Sequence, residues 1–265
     1  LYEETLHRRV DGSPRRNLAL TKAALSRARS RDGSLIESLK SREGSIVSGN
    51  SNFSAQRAKE VYGIEAGVLW PCVDSQEFPA ESSDDPESPY PGEDEYVVTV
   101  GRASFAKGTW EAVSVLSGTG LSLAHVGGGD EGSIEMLRSH AESMGVKLWF
   151  APRLTSPELV SLMRGARAMI GLAHNESFGL TPIESFSVGT PALFVDEGGF
   201  RDTIVDGENG RLIARGDVEE WHSALEQASD QKTREEWASR GRARISELDL
   251  SPDAHARRIW DLLLH

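Results

Sequence analysis

Cysteine is all but missing from this sequence: Cys72 is the only one in 265 residues. A single thiol excludes a disulfide framework and a thiolate metal cluster, the pattern of a reducing compartment. Long apolar runs are missing too. No stretch reaches the roughly 18 residues that a membrane span requires, and no signal-peptide core follows Leu1. The expectation is a cytoplasmic protein that meets a membrane only peripherally, if at all. Positive charge is in deficit, with 29 Lys and Arg against 41 Asp and Glu and a formal net charge of -12. That balance argues against a nucleic-acid-binding face and for solubility, so an anionic ligand must find a local positive site. No glycine loop ends in Lys-Ser or Lys-Thr, which removes the P-loop. What is present is 38% hydrophobic content, enough for one large domain or for one domain plus part of another.

The chain divides into regions of different texture. Residues 1–73 hold polar helical segments, then a short apolar strand at Ile46 and Val47 leading to Ser51 or Asn52 as a helix N-cap. This region reads as α/β but is too short for a complete sheet. Residues 74–95, "DSQEFPAESSDDPESPYPGEDE", are rich in Pro, Ser and acids with almost nothing to bury, and read as a linker or a long exposed loop. From Tyr96 to about residue 250, apolar strands "YVVTV", "LSLAHV", "VKLWF", "AMIGL" and "PALFV" alternate with segments of helical spacing. Such alternation predicts βαβ units and a parallel sheet. Ile134, Leu137, Ala141 and Met144 share a helical face that Gly145 ends, and Ser156-Pro157 reads as an N-cap with Pro in the first position. Leu159, Leu162, Met163 and Ala166 then form the apolar face of that second helix.

A doubly wound parallel sheet binds ligands beyond the carboxyl ends of its strands, so the loops entering helices are the place to look. Four stand out. "GRASFAKGTW" projects Arg102 and Lys107 from a turn beyond a strand end. "GGGD", residues 127–130, permits close backbone approach to a ligand or merely a tight turn. "FAPRLTSP" carries Arg153 and Leu154, and "HNESFGLTPIESFSVGTP" carries Glu176, Phe178, Gly179, Leu180, Thr181 and Glu184. In the last, Thr181-Pro182-Ile183-Glu184 fits a capping box, with Thr181 as N-cap and Glu184 reaching back to it. Phe186 and Val188 then face inward, and Gly189 and Pro191 end the helix. The capping box leaves Glu176 unexplained, and Phe178-Gly179 sits where a helix N-terminus would offer N–H groups to an anion. His174, beside this motif, is read as an ordinary loop residue.

"ESFGLTPIE" is similar to the E-x7-E element of retaining glycosyltransferases of the GT-B fold, family 4, and "GRASFAKG" resembles that family's phosphate loop. "SNFSAQRAKEVYGI…VLWPCVD" resembles the end of the family's first domain, and "VDEGGFRDTIVDGENGRLI" the stretch after the E-x7-E helix. The resemblance runs from about residue 45 onward. It implies a Rossmann-like nucleotide-sugar donor domain over 96–250, a remnant of the acceptor-side domain over 1–73, and, from "SPDAHARRIWDLLL", a closing helix over 251–265 packed back toward that remnant. It further implies that Arg102 and Lys107 neutralise the donor diphosphate without a metal or other cofactor. Backbone N–H groups near Phe178 to Thr181 would hold phosphate, Glu184 the ribose hydroxyls, and Glu176 would lie beside the transferred sugar, making Glu176, Arg102 and Lys107 the catalytic set. Arg153-Leu154 would border the base, where Pro152 replaces the family's usual glycine. The partner is then a nucleotide diphosphate sugar, with base, sugar and acceptor unspecified.

The family's first domain is represented only by its last segments. The chain is therefore a fragment, or one half completed by a second polypeptide, or residues 1–73 do something new, with self-association through the N-terminal region a further expectation. Two functions stay open: a retaining transferase, and a donor-binding half that catalyses nothing alone.

Overall fold

The computed structural model describes residues 7–15, 18–73, 78 and 86–264. Its core is a six-stranded parallel sheet built from β3 (Tyr96–Val100), β4 (Ser122–Val126), β5 (Leu148–Phe150), β6 (Met169–Gly171), β7 (Ala192–Val195) and β8 (Arg211–Ile213). The order across the sheet is β5-β4-β3-β6-β7-β8, with every pair parallel. This is the doubly wound order in which the chain starts at the centre, works outward to one edge, then returns to build the other. β3 and β6 lie side by side, so the connections leaving them diverge and open a crevice between their carboxyl ends.

The strands form where the sequence is apolar on both faces, as a sheet covered by helices on both sides demands. Val97, Val98, Leu123, Ala124, Leu193 and Phe194 are all buried. Covering them are α3 (Thr109–Val115), α4 (Glu131–Met144), α5 (Ser156–Gly165), α6 (Leu180–Val188), the single turn α7 (Phe200–Thr203), α8 (Val218–Gln227) and α9 (Gln231–Leu248). α4 is capped by Asp130, whose side chain accepts from the Ser133 N–H, and ends at Gly145 in the left-handed conformation. Leu137 and Ala141 of that helix are buried, whereas Met144, expected on the same face, is exposed: the last turn overhangs the sheet. α5 is capped one residue before the expected Ser156. Thr155 takes that place because Glu158 reaches back to its N–H and hydroxyl at 2.7 and 2.8 Å, leaving Pro157 in the second helical position.

The N-terminal region contributes α1 (Leu18–Lys40), a two-stranded parallel pair of β1 (Ser48–Gly49) and β2 (Gly67–Val68), and α2 (Asn52–Tyr62) between them. The strand expected at Ile46 and Val47 lies two residues later. Its position is set by pairing with β2 rather than by apolarity, and Ile46 is exposed. Ser51 is the N-cap of α2, accepting from the Ser54 N–H.

Of the expected linker at 74–95, residues 74–77 and 79–85 lie outside the described set. The remainder is exposed at Glu87, Pro91 to Glu93 and Glu95 but is anchored between them. Phe78 is buried, Tyr90 stacks on Tyr96 at 4.1 Å and meets Trp149 edge-on, and the Pro86 carbonyl accepts from Ser161 Oγ at 2.5 Å. Two aromatic rings supply the burial that the acidic composition conceals. The closing helix α10 (Pro252–Leu264) follows a segment that touches the N-terminal region. Leu250 accepts from the Val73 N–H at 2.8 Å, and His255 Nδ1 lies 2.7 Å from the Trp70 carbonyl. No helix among the described residues is long and apolar enough to cross a membrane.

Candidate functional site

The crevice between β3 and β6 is closed at its floor by a contact that only glycine permits. Gly108, at φ 65°, starts α3 so near β6 that a Cβ there would lie 1.9 Å from the Leu172 carbonyl oxygen. This approach brings the two switch-point loops together. Phe105, in the 3₁₀ turn Phe105–Lys107, stacks on His174 at 4.3 Å, and the His174 N–H donates to the Ala106 carbonyl at 2.9 Å. Above them Lys107 Nζ meets Glu176 Oε2 at 2.6 Å. Two of the residues singled out by the sequence, far apart in the chain, are thereby joined at the point where such sheets bind ligands.

Glu176 is fixed from several sides. Its carbonyl accepts from the Gly199 N–H at 2.8 Å, and its Oε1 accepts from the Ser177 N–H at 3.1 Å. Gly198, at φ 60°, packs so that a Cβ would come within 2.5 Å of the Glu176 carbonyl oxygen. The loop after β7 is thus wrapped round the backbone of the loop after β6.

The capping box expected at Thr181 and Glu184 does not form. α6 begins at Leu180, and Gly179, at φ 81°, is the cap residue. The reason lies one residue earlier: Phe178 is buried, 5.6 Å from the Trp70 ring, and drawing that side chain inward forces the turn at the glycine. Thr181 is therefore the second helical residue and Glu184 the fifth, half-buried along α6. The N–H groups of Leu180 and Thr181 stand at the open end of the helix beside Glu176. Pro182 has none, so the first turn offers fewer donors than usual.

Arg102 is exposed on the loop that carries Lys107. Arg153 is exposed and Leu154 half-buried in the loop after β5, at the outer edge of the sheet, and neither contacts the Lys107–Glu176 pair. Gly127 serves the loops rather than an open surface: a Cβ there would strike the Gly101 carbonyl at 2.1 Å. The N-terminal region reaches the same crevice. Ser51 Oγ and Ser54 Oγ both donate to the Ser177 carbonyl, and Asn52 Nδ2 donates to Asp202 Oδ1 at 2.8 Å.

Sequence reasoning passed over a charged network beneath the pair. Arg215, just after β8, grips Glu197 with two parallel bonds of 2.9 and 2.8 Å and donates to the Leu172 and Ala173 carbonyls at 2.6 and 3.2 Å. Glu111 Oε1 lies 2.9 Å from His174 Nε2 and 3.8 Å from Arg215 Nη1. Burial pushes the Glu197 carboxyl up, but the Arg215 bonds and charge outweigh it and hold the group below the ordinary glutamate value. His174, read as a bystander, is part of this frame. No spacing signature marks four residues from four separate segments; the acid before the "GG" at 198–199 is the nearest to a signal. No group of three or more His, Cys, Asp or Glu side chains that could hold a metal occurs among the described residues.

The chain is similar in sequence and in fold to known proteins. The chain is 29% identical over 161 residues to a glycogen synthase of Mycobacterium tuberculosis, covering 58% of this chain and 37% of that one. It is 36% identical over 130 residues to a D-inositol 3-phosphate glycosyltransferase of Acidothermus cellulolyticus, covering 48% and 27%. The chain thus spans less than half the length of these curated relatives. Among solved structures, sucrose-phosphate synthase from Thermosynechococcus elongatus superposes with a TM-score of 0.70 at 20% identity, covering 82% of this chain and 56% of that one. Anabaena HepE in complex with UDP-glucose gives 0.69 at 18%, covering 82% and 63%. These likenesses establish the GT-B type of α/β fold. Residues 81–244 match the family model described as Glycosyl transferases group 1, and with more than half of its length so matched, this chain belongs to that family.

Proposed function

We propose that this chain is the donor-binding part of a retaining, family 4 glycosyltransferase that moves a sugar from a nucleotide diphosphate to an acceptor hydroxyl. The observation that carries the reading is the Lys107–Glu176 pair, 2.6 Å apart at the β3/β6 crevice beside the N-terminus of α6. A diphosphate held there meets the Leu180 and Thr181 N–H groups and the helix dipole, with Lys107 and Arg102 supplying formal charge. The complexes of HepE with UDP and with UDP-glucose support a nucleotide sugar as donor.

In the reaction, the bond between the anomeric carbon and the diphosphate oxygen breaks, and its electron pair leaves with the phosphate. Lys107 and Arg102 stabilise that growing charge and so act where a metal otherwise would. The acceptor oxygen bonds to the anomeric carbon on the face the phosphate has left, and its proton passes to the departing phosphate oxygen. Glu176 lies along the sugar, Glu184 faces the ribose, Phe178 and Gly179 shape the turn, and Arg153-Leu154 border the base from the β5 loop. Residues 96–250 form the donor unit, 1–73 belong to the acceptor side, and 251–265 pack back toward them.

Because the chain spans 37% of the glycogen synthase it matches, a second reading is kept: a donor-binding half that requires a separate N-terminal polypeptide. A thermal-shift panel of UDP, GDP, ADP and dTDP tests donor binding directly. One nucleotide raising the melting temperature in a dose-dependent way is expected; no response to any of them would overturn the reading.

A further inference from the structure

Asn175, immediately before Glu176, adopts the left-handed conformation at φ 51°, one of two non-glycine residues with positive φ among the described residues. Asparagine tolerates this conformation better than most residues, but it is uncommon outside glycine, and here the surroundings hold it. Those surroundings are the Arg215 frame. The guanidinium donates to the Leu172 and Ala173 carbonyls, just upstream of Asn175, and holds Glu197 bidentately. The Asn175 backbone N–H is directed toward that same carboxylate. The residues following Glu197 complete the enclosure, since the Gly199 N–H binds the Glu176 carbonyl. Arg215 is thus bonded to the chain ahead of Glu176 and, through Glu197, to the loop behind it. Only a guanidinium offers enough donors in one plane to make a fork to a carboxylate while serving two carbonyls.

We propose that Arg215 and Glu197 are positioning residues: a fork that locks the Leu172–Asn175 backbone and so aims Glu176 at the sugar of the donor. The inference rests on the donor-binding reading, and it assigns these two residues a role that touches neither nucleotide nor phosphate.

Arg215→Lys keeps the charge and loses the fork, and Glu197→Gln keeps the shape and loses the charge. Both are compared with wild type by amide hydrogen exchange at Asn175–Ser177 and by affinity for UDP, GDP and ADP and for UDP-glucose, GDP-mannose and ADP-glucose. The expected result is at least tenfold faster exchange at those amides with the melting temperature near that of wild type. Nucleoside diphosphate affinity should stay within twofold, while the preference for the sugar ester over its diphosphate falls at least fivefold. Where one variant fails to fold, the other decides. Unchanged exchange in a folded variant overturns the lock, and faster exchange with an unchanged ester preference overturns its aiming of Glu176. Should wild type bind none of the six probes, the donor reading itself fails, and the exchange comparison still decides the lock.

Discussion

Lys107 and Glu176 neutralise each other at 2.6 Å, so a diphosphate must exchange one anionic partner of Lys107 for another. Lys107 is substantially exposed, and pairs of that kind contribute about 0 to 1 kcal/mol; the exchange is therefore inexpensive. Replacing Lys107 or Arg102 with Ala should weaken nucleotide diphosphate binding by about 1.5 to 3 kcal/mol, the range of hydrogen bonds to charged groups, and leave nucleoside binding almost unchanged. Isothermal titration with both ligands checks this, and equal losses would remove the phosphate role. A second residue contributes to the loss of stability in acid. His125 on β4 is 1% exposed, neither ring nitrogen has a partner, and burial pushes its pKa down from 6.5 to about 4. The unfolded imidazole gains its proton near pH 6.5 and the folded one only near 4. Stability present above the first value is thus lost as pH falls toward the second, by about 3 kcal/mol in all. Urea unfolding at pH 7 and pH 4.5 should show His125→Leu losing less stability than wild type over that interval.

At the scale of elements, the approach of α3 to β6 is the most demanding contact in the site. Gly108→Ala should cost about 3 kcal/mol or more, because both the left-handed backbone and the Leu172 carbonyl oppose a Cβ. Gly118→Ala is the control: its φ is 80°, but nothing lies within 4 Å. Roughly 1 kcal/mol is expected there from the backbone alone, and denaturant titration of the two separates crowding from conformation. Elements that bury continuous apolar runs were legible in the sequence: "YVVTV" spans β3 from end to end. β8 was not, because its Leu212 and Ile213 are the only large apolar residues between Arg211 and Arg215. Helix starts were legible only approximately, since Thr155 and Ser156 are chemically equivalent caps until Glu158 selects one. At α6 the buried Phe178 overrides a capping sequence that is locally sound. In the site, Lys107 and Glu176 were visible as motif residues, whereas Glu111, His174, Glu197 and Arg215 become a network only once four strand ends are brought together.

For the whole molecule, donor binding and sugar transfer should separate. Catalysis across a two-domain cleft draws several kcal/mol from holding donor and acceptor together; on the proposed function this chain supplies the donor wall, against which the N-terminal region rests through Ser51, Asn52 and Trp70. The purified chain is expected to bind its nucleotide in the roughly micromolar to millimolar range and to transfer sugar negligibly, with transfer restored on adding an N-terminal acceptor domain. Radiolabelled-sugar transfer assays with and without that domain check this, and robust turnover by the chain alone would show residues 1–73 to be a sufficient acceptor side. The β3–β6 pairing has a consequence in time as well as in space. Val98 is aligned with Met169, so closing the crevice joins residues separated by two intervening strand-helix units, and contacts so distant along the chain are slow to form. A newly made or partly refolded chain can hold most of its helices and the three strands on each side of that joint, β5-β4-β3 and β6-β7-β8, yet have no place for a nucleotide. Recovery of ligand binding is therefore expected late in refolding, and a nucleotide that binds only the finished crevice favours the completed protein over intermediates that lack it.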